Sequence, residues 1–157
     1  MINTDIVKAL ADFLTQNKLT ISVAESCTGG SLASTLTSLS GASIYFDCGF
    51  VAYSNKAKQD LLYVNNDTIT KYGAVSEEVA LEMVNGVIKN SASDFALAIT
   101  GIAGPSGGTT TKPVGMVCFG FSNYGNKYTS TQLFKGDRLS IISQSVKYSI
   151  EQLLKQS

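Results

Sequence analysis

Residues 23–34 read VAESCTGGSLAS and place three possible nucleophiles, Ser26, Cys27 and Thr28, directly before two glycines. Each of these hydroxyl and thiol groups can attack an electrophilic carbon when a base removes its proton. The chain contains no histidine, which is the usual base. The base must therefore be a lysine, a tyrosine or a carboxylate, and a lysine serves only where burial or a neighbouring cation lowers its pKa.

Three segments are richer in glycine, serine and threonine than a simple connection requires: residues 25–31 (ESCTGGS), 51–58 (VAYSNKAK) and 100–115 (TGIAGPSGGTTTKPVG). The first and third directly follow a predicted strand, where open α/β sheets place their ligand sites. The first also opens a helix, whose free N–H groups and positive dipole end favour an anion. The backbone can approach a phosphate closely at the glycines of these segments, Gly29, Gly30, Gly101 and Gly104.

Each of these features also has an ordinary structural explanation. Glycine after a strand usually serves a turn, and residues 100–115 match neither GxGxxG nor a Walker A loop, since no GK[ST] follows. Cysteines such as Cys27 and Cys48 are more often small buried apolar residues than nucleophiles. Ser26 alone is typical of a turn or helix cap, and Lys112 alone is typical of a solvated loop.

The composition limits the classes of function. The chain has 157 residues, 44% of them hydrophobic and 15% charged, which indicates one compact domain over residues 1–157. Its twelve basic and twelve acidic residues cancel, so bulk charge gives no case for binding nucleic acid or a membrane. No apolar run reaches the roughly 18–20 residues of a membrane span, and the acidic, amphipathic N-terminus is unlike a signal peptide. We therefore expect a cytoplasmic protein.

The three cysteines, Cys27, Cys48 and Cys118, are odd in number and lack a CxxC spacing. Reduced thiols are the simplest interpretation of that pattern. Because the chain has no histidine and its cysteines are scattered, we expect neither a metal site nor another cofactor.

The period of the apolar residues predicts the elements that must position these loops. Strands are predicted within residues 19–26, 43–54 and 94–101, and a hairpin is predicted from residues 114–122 and 127–134. Helical patterns lie at the N-terminus, where Thr4 or Asp5 can cap, between the strands, and at the C-terminus; Ser76 is the predicted N-cap of one of them. The order αβαβααβββα predicts a single three-layer α/β/α domain with a mixed, mostly parallel sheet and a C-terminal antiparallel hairpin.

Five motifs occur in a fixed order: AESCTGG, YSNKAK, GAVSEEVA, TGIAGPSGGTTTKPVG and GDR. In these motifs and their spacing, residues 5–155 resemble the CinA C-terminal domain family, named after the competence/damage-inducible protein CinA. Its characterised members are nicotinamide mononucleotide deamidases. The resemblance implies a metal-independent amidohydrolase that converts nicotinamide mononucleotide to nicotinic acid mononucleotide and ammonia in pyridine nucleotide recycling. Full-length members carry a further N-terminal domain without a counterpart here, so we expect the stand-alone form, and a homo-oligomer.

The resemblance also implies roles for single residues. It places the nucleophile at Ser26 and the base at Lys58, with Tyr53 close by. Thr100 matches a position proposed to assist at the carboxamide. Arg138 of the GDR motif is expected to hold the nucleotide phosphate or to help depress the lysine pKa.

The remaining predicted substrate contacts lie in the same loops. The backbone N–H groups around Cys27–Gly30 are candidates for the oxyanion hole, an inference from the predicted helix start. Within this turn we expect Cys27 to face the apolar interior and Thr28 to cap the helix. Asn55 either hydrogen-bonds the carboxamide or caps the next helix. The full predicted substrate-binding set is Cys27, Thr28, Gly29, Gly30, Ser54, Asn55, Gly101 and Gly104.

Two alternatives stay open at this point. The chain could be a nucleotide-binding or regulatory module without turnover, although Ser26, Tyr53, Lys58 and Thr100 are all retained. It could also be an amidase that depends on Cys27. Two positions depart from the family pattern: Ile142 replaces a second arginine, and Cys48 lies in place of a glycine or arginine.

Overall fold

The computed structural model describes residues 3–156, which form one five-stranded sheet between two layers of helices. The strands are β1 (Ile21–Glu25), β2 (Phe46–Val51), β3 (Phe95–Gly101), β4 (Met116–Asn123) and β5 (Asn126–Leu133). The helices are α1 (Thr4–Gln16), α2 (Ser31–Leu36), α3 (Asn55–Leu62), α4 (Asn66–Tyr72), α5 (Glu77–Ser91) and α6 (Arg138–Lys155), with a 3₁₀ helix at Ala42–Ile44. The predicted three-layer α/β/α architecture is confirmed.

The sheet is mixed, as predicted, in the strand order β2-β1-β3-β4-β5. Strand β1 pairs in parallel with β2 and β3, whereas β4 pairs antiparallel with β3 and β5. The strand pairs are thus divided evenly, but β4 alone among the described strands opposes the direction of the others. The predicted hairpin is confirmed: β4 and β5 join through Tyr124 and Gly125, both with positive φ, as a two-residue type I′ turn requires.

Two helix starts show how local chemistry sets the element boundaries. Ser76 caps α5 through its Oγ, which accepts from Val79 N at 3.2 Å, as predicted. The prediction that Thr4 or Asp5 caps α1 is wrong, because Asn3 Oδ1 accepts from Asp5 N at 2.8 Å. An asparagine one position earlier therefore supplies the acceptor that the first helical N–H groups need.

Helix α4 is absent from the predicted element order. Its seven residues bury one apolar side chain, Ile69, so no helical period is visible in the sequence. Asn65 caps it by accepting from Asp67 N at 2.9 Å. The helix therefore depends on capping and packing rather than on an apolar stripe.

The sheet separates two apolar cores because successive side chains of a strand point to opposite faces. In β1, Val23 packs into the core formed with α1, α2 and α6, and Ala24 packs into the core formed with α3, α4 and α5. Strand β3 is buried on both faces, as its continuous apolar run predicts. No helix within residues 3–156 is long and apolar enough to cross a bilayer.

The common direction of β1, β2, β3 and β5 brings four carboxyl ends to one edge of the sheet. The segments that follow these strands therefore begin there: residues 26–30, 52–54, 102–115 and 134–137. This is the edge at which open α/β sheets bind ligands.

Candidate active site

A cleft of about 320 Å³ opens at this sheet edge, within the range of small-ligand sites. It is lined by Ser26, Cys27, Tyr53, Asn55, Lys58, Ala74, Val75, Thr100, Gly101, Ile102, Ala103, Gly104, Ser106, Gly107 and Arg138. A larger groove of about 620 Å³ lies beside α5 and the hairpin, but there the Glu77 carboxylate is occupied by the hydroxyls of Thr129 and Thr131. The smaller cleft places the Ser26 hydroxyl next to the amine of the buried Lys58.

Ser26 and Lys58 form the centre of the cleft. Lys58 Nζ and Ser26 Oγ are 3.0 Å apart, within hydrogen-bond distance. The Tyr53 backbone carbonyl accepts from Lys58 Nζ at 3.0 Å and from Ser26 Oγ at 3.4 Å. This carbonyl therefore fixes the amine beside the serine hydroxyl.

The position of Lys58 follows from the start of α3. Ser54 Oγ caps the helix by accepting from Ala57 N at 3.0 Å, which places Lys58 at the end of the first turn. The Lys58 side chain is 2% exposed, and burial lowers its pKa below the ordinary 10.5. No carboxylate among residues 3–156 pairs with it. The lysine thus has the environment that favours its neutral, basic form.

Cys27 lies next to the nucleophile but in a different environment. It belongs to the apolar core that contains α2 and α6, as predicted, and borders the cleft. Burial raises the pKa of its thiol to about 12. Since the thiolate is the reactive form of cysteine, this site disfavours Cys27 as a nucleophile.

Arg138 connects three segments at the mouth of the cleft. It is the first residue of α6, and its Nη2 donates to Tyr53 Oη at 2.9 Å while its Nη1 donates to the Gly104 carbonyl at 2.8 Å. Thr100, at the end of β3, is 1% exposed, and its hydroxyl donates to the Ala74 carbonyl at 2.8 Å. The structure therefore brings all five predicted catalytic residues to one cleft.

Four of the predicted substrate-binding residues do not line the cleft: Thr28, Gly29, Gly30 and Ser54. Ser54 is instead the cap of α3, which also excludes the capping alternative for Asn55; Asn55 lines the cleft.

The prediction that Thr28 caps α2 is wrong. The N-cap is Gly30, which has no side chain, and the buried Thr28 hydroxyl has no hydrogen-bond partner among residues 3–156. The Glu25 carboxylate caps the helix instead, with Oε1 accepting from Leu32 N at 2.8 Å and Oε2 from Ala33 N at 3.0 Å. These two N–H groups are therefore not available to the anion that is predicted at this helix start.

Gly101 and Gly104 line the cleft, but contacts within the protein already account for their lack of a side chain. A Cβ at Gly101 would lie 2.8 Å from a Val117 methyl group. A Cβ at Gly104, where φ is +75°, would lie 2.4 Å from a Val114 methyl group.

Several lining residues were not singled out by sequence reasoning, among them Val75, Ser106 and Gly107. Val75 belongs to the motif GAVSEEVA, and the other two belong to residues 100–115. Membership of these motifs is the sequence feature that could have identified all three. Ile142, which departs from the family pattern, packs against the apolar core rather than the cleft.

The residues present do not suggest a metal centre. Within residues 3–156 no group of three histidine, cysteine, aspartate or glutamate residues lies close enough to hold a metal ion.

Comparison with known proteins shows the family of this chain. The family model described as the CinA C-terminal domain matches residues 3–157. This chain belongs to the CinA C-terminal domain family. The resemblance in the five motifs is thereby confirmed.

Relatives of this CinA C-terminal domain differ in length. The nicotinamide-nucleotide amidohydrolase PncC of Enterobacter agglomerans is 46% identical over 137 residues, which cover 87% of this chain and 84% of that protein. A competence-damage inducible protein of Thermoanaerobacter sp. (strain X514) is 45% identical over 147 residues, which are 94% of this chain but 36% of that protein. The chain therefore spans about a third of relatives of the second kind.

Solved structures share the whole fold. A competence damage-inducible protein A (ComA) from Klebsiella pneumoniae superposes with a TM-score of 0.95 at 31% identity, covering 99% of this chain and 97% of that chain. A competence/damage inducible protein from Agrobacterium tumefaciens superposes with a TM-score of 0.94 at 38% identity, with 99% and 97% covered.

Proposed function

We propose that this chain hydrolyses the carboxamide of nicotinamide mononucleotide to nicotinic acid mononucleotide and ammonia. The observation that carries the proposal is the 3.0 Å contact between Ser26 Oγ and Nζ of the buried Lys58. The substrate is inferred from the Enterobacter agglomerans relative, whose name is nicotinamide-nucleotide amidohydrolase. A serine activated by an adjacent base is a nucleophile suited to an amide carbon.

Lys58 acts as the base in its neutral form. The Tyr53 carbonyl accepts one amine N–H, which leaves the nitrogen lone pair for the Ser26 hydroxyl proton. As the proton moves to Lys58, Ser26 Oγ bonds to the carboxamide carbon, and the negative charge develops on the carboxamide oxygen. Lys58 then gives the proton to the amide nitrogen, the C–N bond breaks and ammonia leaves. Water hydrolyses the resulting ester with the same base, which releases the acid and restores Ser26.

The developing oxyanion needs a hydrogen-bond donor. Cys27 lines the cleft next to Ser26, and its backbone N–H donates to no other residue among residues 3–156. This N–H is the proposed oxyanion donor. A preorganised donor of this kind typically contributes about 10²–10³-fold in kcat.

The other lining groups suit the rest of the substrate. The Thr100 hydroxyl proton is committed to the Ala74 carbonyl, so its oxygen is left to accept from the carboxamide NH₂. Arg138 keeps further N–H donors for the nucleotide phosphate, and Asn55 lies near enough to the cleft to contact the carboxamide. Arg138 is a cationic side chain, and no carboxylate among the described residues lines the cleft, which favours an anionic mononucleotide.

The proposal is tested by measuring ammonia release from nicotinamide mononucleotide, with free nicotinamide and nicotinamide riboside as control substrates. We expect rapid release from the mononucleotide and slow release from both controls, since neither offers a phosphate to Arg138. Tight binding of the mononucleotide without ammonia release would instead support a binding or regulatory module.

A further inference from the structure

Glu25 is a buried carboxylate that the reaction described above does not use. It is the last residue of β1 and is 1% exposed. No ion pair within residues 3–156 involves it. Its two oxygens accept from the backbone N–H groups of Leu32 and Ala33, at 2.8 and 3.0 Å. A buried carboxylate is costly unless such donors compensate it, and here the first turn of α2 supplies them.

These two hydrogen bonds close a loop that begins with the nucleophile. Ser26 follows Glu25 directly, and its backbone N donates to the Ile99 carbonyl at 2.9 Å, which fixes the start of the loop to the sheet. The end of the loop is the start of α2, a helix of six residues whose N-cap glycine offers no side chain. Glu25 therefore holds the far end of residues 26–30, through hydrogen bonds to Leu32 and Ala33, which lie seven and eight residues after it in the chain.

We propose that Glu25 is a positioning residue, whose carboxylate holds residues 26–30 so that Ser26 Oγ stays against Lys58 and the Cys27 N–H stays at the cleft. The inference rests on the proposed function for its kinetic consequence. Glu25 does not line the cleft, so it acts through the loop and not on the substrate. Burial is the main cause of the raised pKa of the Cys27 thiol, and the negative charge of Glu25 raises this pKa further.

The variant Glu25→Gln tests this inference with little change of shape. A glutamine amide nitrogen cannot accept a hydrogen bond, so one of the two helix N–H groups loses its acceptor. We expect kcat for nicotinamide mononucleotide to fall about tenfold to a hundredfold, because small misplacements of reacting groups lower kcat by such factors. KM should stay nearly unchanged.

Glu82→Gln is the matched control. The Glu82 carboxylate also receives donors at a helix start, from Asn65 N at 2.8 Å and Thr68 Oγ1 at 2.7 Å, but it lies outside the cleft. A purely structural role for Glu25 predicts that both variants lose thermal stability and neither loses kcat. Positioning predicts that only Glu25→Gln loses kcat.

Hydrogen exchange supplies a readout that needs no substrate. The amides of residues 27–33 are expected to exchange faster in Glu25→Gln than in the wild type or Glu82→Gln, at a temperature where circular dichroism shows all three folded. If Glu25→Gln does not fold, Glu25→Asp, which keeps the charge but is one methylene too short, takes its place.

Unchanged exchange, or a kcat equal to that of Glu82→Gln, overturns the inference. If the wild type releases no ammonia, the proposed function fails, and the exchange rates alone decide whether Glu25 orders the loop.

Discussion

Replacing Lys58 with methionine removes the proposed base and keeps a long, linear side chain at a position that is 2% exposed. General-base catalysis commonly contributes about 10²–10⁴-fold, so we expect kcat of the Lys58→Met variant to fall by that factor. The fold should persist, because methionine has a flexible side chain of similar length that adapts to irregular gaps.

The cost in stability can be worked from two hydrogen bonds. Lys58 Nζ contacts Ser26 Oγ and the Tyr53 carbonyl, each at 3.0 Å. At a pH above 10.5 the amine is neutral in the folded and unfolded chain, and the loss of these bonds costs about 1 kcal/mol each. The Tyr53 carbonyl keeps Ser26 Oγ as a donor at 3.4 Å, so it is not left without a partner.

The pH dependence has a defined sign. Burial lowers the pKa of Lys58 in the folded chain below its ordinary 10.5. As the pH falls below 10.5, the unfolded chain therefore takes up a proton before the folded chain does, and the wild type loses stability. The free energy of unfolding falls by about 1.4 kcal/mol for each unit by which the pH falls. This fall ends once the pH reaches the pKa of Lys58 in the folded chain. Lys58→Met lacks this titration, so its stability deficit relative to the wild type should shrink as the pH falls.

Turnover and urea unfolding of both chains at several pH values between 7 and 10.5 measure these effects. Lys56→Met is the matched control, since Lys56 is exposed in the same helix and pairs with Asp60. This control should keep wild-type turnover. A Lys58→Met variant with turnover within tenfold of the wild type, or with a stability deficit that is the same at every pH, would refute the reasoning.

The same structure predicts three further results. The kcat/KM of the wild type should rise with pH up to a pKa below 10.5, where Lys58 becomes neutral, and a flat profile across this range would count against a lysine base. Arg138→Ala loses contacts at 2.9 and 2.8 Å and a cation for the phosphate, so KM should rise about tenfold or more, and an unchanged KM would remove Arg138 from the substrate site. Dialysis against a strong chelator should leave activity intact, because the sequence has no histidine, and activity lost and then restored by zinc or manganese would contradict a metal-free serine mechanism.

The sequence predicts those parts of the fold that depend on long apolar periods. The buried run of β3, the hairpin and the capped helix α5 all have strong local patterns, and each is confirmed. Helix α4 has one buried apolar residue, so its sequence shows no helical period and does not predict the helix. The structure shows the helix and its N-cap, Asn65. The domain bounds 1–157, the cytoplasmic location and the homo-oligomer stay predictions.

The cleft is predicted in part for a similar reason. Ser26, Tyr53 and Lys58 lie in short motifs, and the common strand direction brings those motifs together. The cap of α2 could not be read locally, because Glu25 reaches the helix over seven residues from the end of a strand. The sequence therefore predicts the nearer hydroxyl, Thr28, as the cap, a role that the Glu25 carboxylate fills.

Ammonia release from nicotinamide mononucleotide by Ser26→Ala and Cys27→Ala tests the central claim most directly. Ser26→Ala should lose turnover by several orders of magnitude while still binding the nucleotide, since removal of an activated nucleophile has that effect. Cys27→Ala should keep most of its activity, because its thiol is buried and its pKa is raised to about 12. Near-normal turnover in Ser26→Ala together with an inactive, folded Cys27→Ala variant would contradict the serine–lysine account.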